Sequence, residues 1–227
     1  AEITMTGLDA PVLGGDEFWY LMVPQARAPD EIGNGFTFNQ LELIAEDRRP
    51  MAAYYTTRRR RPDDGEIDLW IHLHHDTGVA GWAATAQVGA TVALWGPRIA
   101  YNPPKGTNHH LLVADETGVP AVAAIAEALP PDHPVTLIAE IETPHHQLPI
   151  NAKSNVDVQW VHRSEGRASL SKTVASLKLE TSGLYAFGAG ESREISAIRR
   201  HLRRDHAMNS DSVNMTGYWR RDHDKSS

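Results

Sequence analysis

The pattern of apolar and polar positions changes character near the middle of this chain. In the first half the repeat is mostly two. Glu17–Val23 is aromatic and β-branched, and Ala52–Arg58 is a second candidate strand. Glu66–His75 alternates, with Ile67, Leu69, Ile71 and Leu73 on one face and Asp68, Trp70, His72 and His74 on the other. Side chains alternate across a strand, so this pattern predicts a sheet with one face packed and the other wet. Thr91–Trp95 follows, closed by Gly96-Pro97, and Val79–Gln87 is the one helical insertion. Several short strands punctuated by Gly and Pro predict an antiparallel barrel or sandwich. The chain opens inside a strand-like run, Ile3–Thr6, so residues before Ala1 are expected.

Asn102-Pro103-Pro104-Lys105-Gly106 reads as a linker, and the rhythm then changes. Leu111–Ala114 is a short apolar strand. Val119, Val122, Ile125, Ala126 and Leu129 recur at helical spacing, and Pro130-Pro131 ends that helix. Val135–Ile141 and Val156–Val161 are strands, and Ser169–Leu177 is a short helix. Leu184–Phe187 is a buried-looking strand leading into Gly188-Ala189-Gly190. Glu191–His206 is helical, with Ile195, Ile198 and Leu202 on its apolar face, and Val213–Trp219 closes the series. Alternating strands and helices predict right-handed βαβ units on a parallel sheet, with ligands at the carboxyl ends of the strands. The expected fold class is therefore β followed by α/β, with domains 1–104 and 105–227.

Composition narrows the function. Over 227 residues the formal charge is −7, which argues against nucleic acid as a partner. Local basic runs stand out on this acidic chain: Arg58 to Arg61, Arg199 with Arg200, Arg203 with Arg204, and Arg220 with Arg221. Absence of cysteine excludes disulfides, thiolate metal sites and a cysteine nucleophile. It fits a cytoplasmic location. No apolar run approaches the ~18 residues of a membrane span, so no stable membrane insertion is expected.

Five short motifs carry candidate chemistry. Ala53-Tyr54-Tyr55-Thr56-Thr57-Arg58 offers a ring to stack on a flavin, hydroxyls for its polar edge and a guanidinium for phosphate. Within the run from His74 through Asp76, Gly78, Val79 and Ala80 to Trp82, a glycine turn opens a helix. Its free N–H groups and positive dipole end suit a pyrophosphate. Asp115-Glu116-Thr117 and Gly188-Ala189-Gly190-Glu191 each close a strand. Gly217-Tyr218-Trp219-Arg220 sets an aromatic pair before a cation. No triad or paired-carboxylate site is evident, and no catalytic side chain or metal site is assigned.

Taken in order, these five motifs resemble the siderophore-interacting protein family, which includes vibriobactin-utilisation-type ferric reductases and is related to ferredoxin–NADP reductases. The resemblance runs from about Ile3 to Arg220. It implies a six-stranded FAD-binding barrel followed by a parallel-sheet, NAD(P)-binding-like domain. It also implies reduction of a ferric siderophore to release Fe²⁺ during intracellular iron acquisition, with electrons from NADH, NADPH or ferredoxin. Tyr55, Thr56, Thr57 and Arg58 should contact the flavin. His74, Asp76, Gly78, Val79, Ala80 and Trp82 should line its ribityl and phosphate path. Asp115, Glu116, Thr117, Gly190, Glu191, Tyr218 and Trp219 should lie near the cofactor, and Arg58 and Arg220 should meet an anionic siderophore. A monomer is expected. Three departures stand out: Ala53 replaces the usual Arg before the Tyr-Thr pair, Ile99 follows Gly-Pro-Arg, and the strand before Ile3 is missing.

Two other functions compete. The 12 histidines include the adjacent pairs His74-His75, His109-His110 and His145-His146, which suggests a non-enzymatic metal or iron-chelate carrier. Neighbouring histidines on a strand point to opposite faces, which makes each pair poor as a bidentate site. A general flavin or ferredoxin-linked reductase is the third reading.

Overall fold

The computed structural model describes residues 1–25, 38–73, 78–153, 155–166 and 169–221. The chain divides into two compact units, Ala1–Leu13 with Glu17–Arg98 and Gly14–Asp16 with Ile99–Ser227. In the first, β1 (Glu2–Met5), β2 (Phe18–Val23), β3 (Met51–Arg61), β4 (Glu66–Trp70) and β5 (Ala93–Arg98) form one antiparallel sheet. The order is β1-β4-β3-β2-β5. Two helices, α1 (Phe38–Leu43) and α2 (Gly78–Thr85), complete this unit.

The period-two pattern is borne out in part, because Leu73 is exposed and Asp68 is buried. Leu21, Val23, Ile67, Leu69 and Ile71 are buried in one cluster with Trp19 and with Val79, Ala80 and Ala83 of α2. The six-stranded barrel implied by the resemblance is corrected here, because the sheet has five strands among the described residues. The edge strands β1 and β5 do not pair with each other. Instead, both line a cavity of about 1180 Å³ that also touches Trp82 and Ala83. Strand β4 stops at Trp70, short of the predicted His75, so His72 lies beyond it. The predicted His74 and Asp76 lie outside the described residues.

The second unit alternates as predicted. It contains β6 (His109–Asp115), α3 (Val119–Ala128), β7 (Val135–Ile141), β8 (Val156–His162), α4 (Leu170–Ala175), β9 (Leu184–Glu191), α5 (Ser192–Arg204) and β10 (Val213–Trp219). All strand pairs are parallel, in the order β10-β9-β6-β7-β8. The chain leaves β6 towards β7 and β8, then returns to place β9 and β10 on the other side. The switch point therefore lies between β6 and β9.

Local sequence explains these helices. Proline in the first turn of α3 costs no hydrogen bond, because its missing N–H has no intrahelical acceptor. On α5, Ile195, Ile198 and Leu202 recur at three- and four-residue spacing and are buried against the sheet. Each contributes roughly 1.5–3 kcal/mol of apolar burial. Glu191 caps α5, its carboxylate accepting from the Arg193 and Glu194 N–H groups at 2.7 and 3.1 Å.

Candidate functional site

Strand β3 holds the first group of predicted residues. Tyr55 is half-buried, Thr56 and Thr57 are buried, and Arg58 is only 3% exposed. Three successive buried residues break the alternation of a strand, and the register shows why. Thr57 pairs with Leu69 while Arg59 pairs with Asp68, so Arg58 is the extra residue of a β-bulge. A bulge re-aims a side chain. Here the Arg58 guanidinium sits 4.3 Å from the Trp70 ring centroid. Such stacking suits a planar, weakly hydrated cation.

Thr57 is engaged internally. Its hydroxyl donates to Glu17 Oε1 at 3.0 Å and accepts from Trp19 Nε1 at 3.0 Å. Glu17, itself 2% exposed, also accepts from the Leu13 N–H. Arg60 supplies the compensating charge 3.7 Å away. Tyr55 and Trp82 pack at the border of the cluster that buries Val79 and Ala80. Burial pushes the Tyr55 hydroxyl up from its usual range. The structure thus brings Tyr55, Val79, Ala80 and Trp82 together, beside Thr56 and Arg58 on the same strand.

This set suits a flavin dinucleotide. It combines an aromatic ring, hydroxyls, a stacked guanidinium and the start of a helix. Gly78 opens that helix at φ 65°, and among the described residues a Cβ placed there would meet nothing within 4 Å. Ala53, in contrast, supplies no cation.

In the second unit the predicted residues meet at the carboxyl ends of β6, β9 and β10, around the switch point. Asp115 is their centre and is buried. Its Oδ1 accepts from the Thr117 N–H at 2.9 Å and the Thr117 hydroxyl at 2.6 Å. Its Oδ2 accepts from the Glu191 N–H and from Trp219 Nε1, both at 2.7 Å. Gly118 follows Thr117 so closely against β9 that a Cβ there would collide with the Ala189 carbonyl. Burial pushes the Glu191 carboxyl up, but the N–H groups of Glu194, Arg221 and Arg193 outweigh it and hold the group below its usual range. Gly190 lies directly over Asp115, with room for no Cβ. Tyr218, Trp219 and Arg220 are exposed.

Glu116 joins a different group, which the sequence did not reveal. Arg163, just past β8, pairs with Glu116, Glu140 and Glu142. This ties the ends of β6, β7 and β8 together and raises the guanidinium's pKa, chiefly through the Glu116 hydrogen bond. Burial pushes the Glu140 carboxyl up despite the Arg163 contact. Arg163 and Glu140 border a cavity of about 280 Å³ that Arg193 and Arg221 also line. The only sequence signal for Arg163 was its place at the end of a strand.

Comparison with known proteins bears on both units. Residues 3–101 match the siderophore-interacting FAD-binding domain, and residues 107–222 match the siderophore-interacting protein domain. The chain belongs to the siderophore-interacting protein family. An uncharacterised family relative from Mycobacterium tuberculosis is 33% identical over 200 residues, covering 82% of this chain and 70% of that protein. Ferric vibriobactin reductase ViuB of Vibrio cholerae is 26% identical over 185 residues, covering 79% and 68%. Among solved structures, a siderophore utilization protein from T. fusca aligns with a TM-score of 0.80 at 23% identity, covering 100% of this chain and 88% of that one. The ferredoxin reductase of carbazole 1,9a-dioxygenase aligns at 0.70 and 19%, covering 96% and 64%. The family fold is thus an antiparallel sheet followed by a parallel one, as in the ferredoxin reductases.

The described pair His109-His110 does not converge. His109 bonds Asn108 and the Glu180 carbonyl, whereas His110 bonds Tyr101 and His133. Among the described residues, no group of three or more His, Cys, Asp or Glu side chains is placed to hold a metal ion. No described helix is long and apolar enough to cross a membrane.

Proposed function

We propose that this protein is a FAD-dependent reductase of ferric siderophores. One observation carries the reading: Tyr55, Val79, Ala80 and Trp82 belong to one packed cluster in the domain that matches the FAD-binding family model, with Thr56 and Arg58 on the same strand as Tyr55. In this reading, Tyr55 stacks on the flavin ring and Thr56 bonds its polar edge. The α2 N-terminus and Arg58 hold the phosphates. His74 and Asp76 belong to the same path by the family resemblance. Bound FAD supplies the chemistry that side chains lack, accepting a pair of electrons and passing them on singly.

The protein's own residues bind, orient and steer. Arg58 serves the cofactor rather than the chelate, because its guanidinium is buried over Trp70. Exposed Arg220 is the cation offered to an anionic siderophore. Thr57, Asp115, Thr117 and Glu191 act as positioning residues, since their polar atoms bond the protein itself. The substrate is Fe³⁺ held by hard oxygen donors. Fe²⁺ is softer and is held less well by those donors, so reduction releases it. The relatives named ferric vibriobactin reductase and ferric acinetobactin reductase support this substrate class. The donor is NADH, NADPH or reduced ferredoxin.

Steady-state assays with a ferrous trap test the reading. Ferrous iron should form from a ferric catecholate or hydroxamate siderophore only when FAD and a donor are both present. Rates higher for free flavin than for every ferric chelate would assign a general flavin reductase instead.

A further inference from the structure

The two histidines at the end of α5 take no part in the proposed chemistry. Helix α5 runs back across the sheet between the parallel strands β9 and β10, so its C-terminus lies at the amino-terminal edge of that sheet. This edge is opposite the strand ends that hold Asp115 and Glu191. His201 is in the last turn of the helix, and His206 follows it by five residues.

Three features of this pair agree. The Nε2 atoms of His201 and His206 face each other at 3.2 Å. Two nitrogens bound to one ion at about 2.0–2.1 Å, at a near-tetrahedral angle, stand about 3.3 Å apart. The rings are also nearly perpendicular, at 86° with centroids 4.8 Å apart, an edge-on contact rather than a stack. Asp205 accepts a hydrogen bond from His201 Nδ1 at 2.7 Å. That contact puts the His201 proton on Nδ1 and leaves the Nε2 lone pair pointing at His206. The same carboxylate–histidine arrangement orients and strengthens imidazole ligands in metalloproteins.

Local backbone and charge add to this. Ala207 is in the left-handed region at φ 53°, among the described residues the one non-glycine with positive φ. A strained position directly after His206 fixes the turn that brings its ring back to His201. The helix C-terminus is the negative end of the dipole and favours a cation, and Asp205 adds a full negative charge. Arg203 and Arg204 are the opposing cations, and both are exposed to solvent.

We infer that His201 and His206 form a two-imidazole site for a divalent first-row transition ion, with Asp205 as its second-shell carboxylate and water filling the open positions. Imidazole suits zinc, copper, nickel and ferrous iron, whereas calcium and magnesium prefer oxygen. The site is independent of the flavin reading, since it uses none of the same residues.

The test uses the full chain, stripped with a chelator, and zinc alone as the probe. Competition against a chromogenic zinc indicator gives the affinity. His206→Gln should weaken the tightest zinc equivalent by at least about 30-fold, and His201→Gln should do the same. Asp205→Asn should weaken it by about tenfold, at the low end of second-shell effects. His145→Gln, a change at an exposed histidine elsewhere, should leave it unchanged. Exposed Asp205 and half-exposed His206 keep the test valid if His201→Gln destabilises the fold. Zinc affinity equal in wild type and His206→Gln would show that the contact is only a histidine–histidine hydrogen bond and would overturn the proposal. So would equal weakening by His145→Gln.

Discussion

Strand β3 and the paired ends of β6 and β9 both carry residues that look like cofactor contacts, but the two places are built differently. On β3, a bulge buries Arg58 over the Trp70 ring and leaves Tyr55 half-buried at the border of the cluster that holds α2. At the ends of β6 and β9, the oxygens of Asp115 are filled by Thr117, Glu191 and Trp219. Short polar motifs at strand ends therefore have two uses. One, in the reading proposed for β3, is to hold a ligand. The other is to hold the backbone together where neighbouring strands arrive within reach.

The sharpest way to break this comparison is to remove the second hub. Asp115→Ala strands the buried Glu191 N–H and the part-buried Trp219 indole N–H and should destabilise the protein by about 3–5 kcal/mol. Urea unfolding measures it. A loss below about 1 kcal/mol would mean that the hub is not structural. Next, Thr57→Val removes one hydroxyl from the buried Glu17–Trp19 network and should cost about 1–2 kcal/mol by the same method, with little change in flavin affinity. Tyr55→Ala should do the reverse, keeping stability within about 1 kcal/mol while weakening FAD binding by about 1–3 kcal/mol, as loss of one stacking ring does.

The smallest effect concerns acid. Arg61 donates two hydrogen bonds to Asp68, both at 2.7 Å, and holds its carboxyl below the usual range against the opposing effect of burial, with Thr4 adding a third bond. A carboxyl lowered on folding stabilises above its unfolded pKa, about 3.9. That contribution disappears as pH falls through the lower folded value. Asp68→Asn should therefore flatten the fall in stability below about pH 4, as read by unfolding at a series of pH values. An unchanged acid limb would count against the pair.

Much of this organisation was legible in sequence. Val135–Ile141 and Val213–Trp219 are strands with the predicted limits, because each is a β-rich run between turn formers. Helix α5 was visible through Ile195, Ile198 and Leu202, with ends that differ by one residue at the start and two at the finish. Other features depend on partners distant in sequence. The bulge at Arg58 exists only relative to β4, and no single strand's alternation encodes it. Arg163 meets Glu116, Glu140 and Glu142 only because three parallel strands end side by side. Helix α1 is six residues long, too short for a helical period to show. The count of strands in the first sheet came from the family resemblance, and the sheet among the described residues has one fewer.

The central claim is that the β3–α2 cluster binds FAD for electron transfer to ferric siderophore. The most direct measurement is the visible absorption spectrum of the purified protein incubated with FAD and passed through a desalting column. The account predicts a yellow protein with one flavin per chain, whose absorbance bleaches under a reduced donor and recovers when a ferric siderophore is added without oxygen. A colourless protein after desalting, with the fold intact, would contradict it.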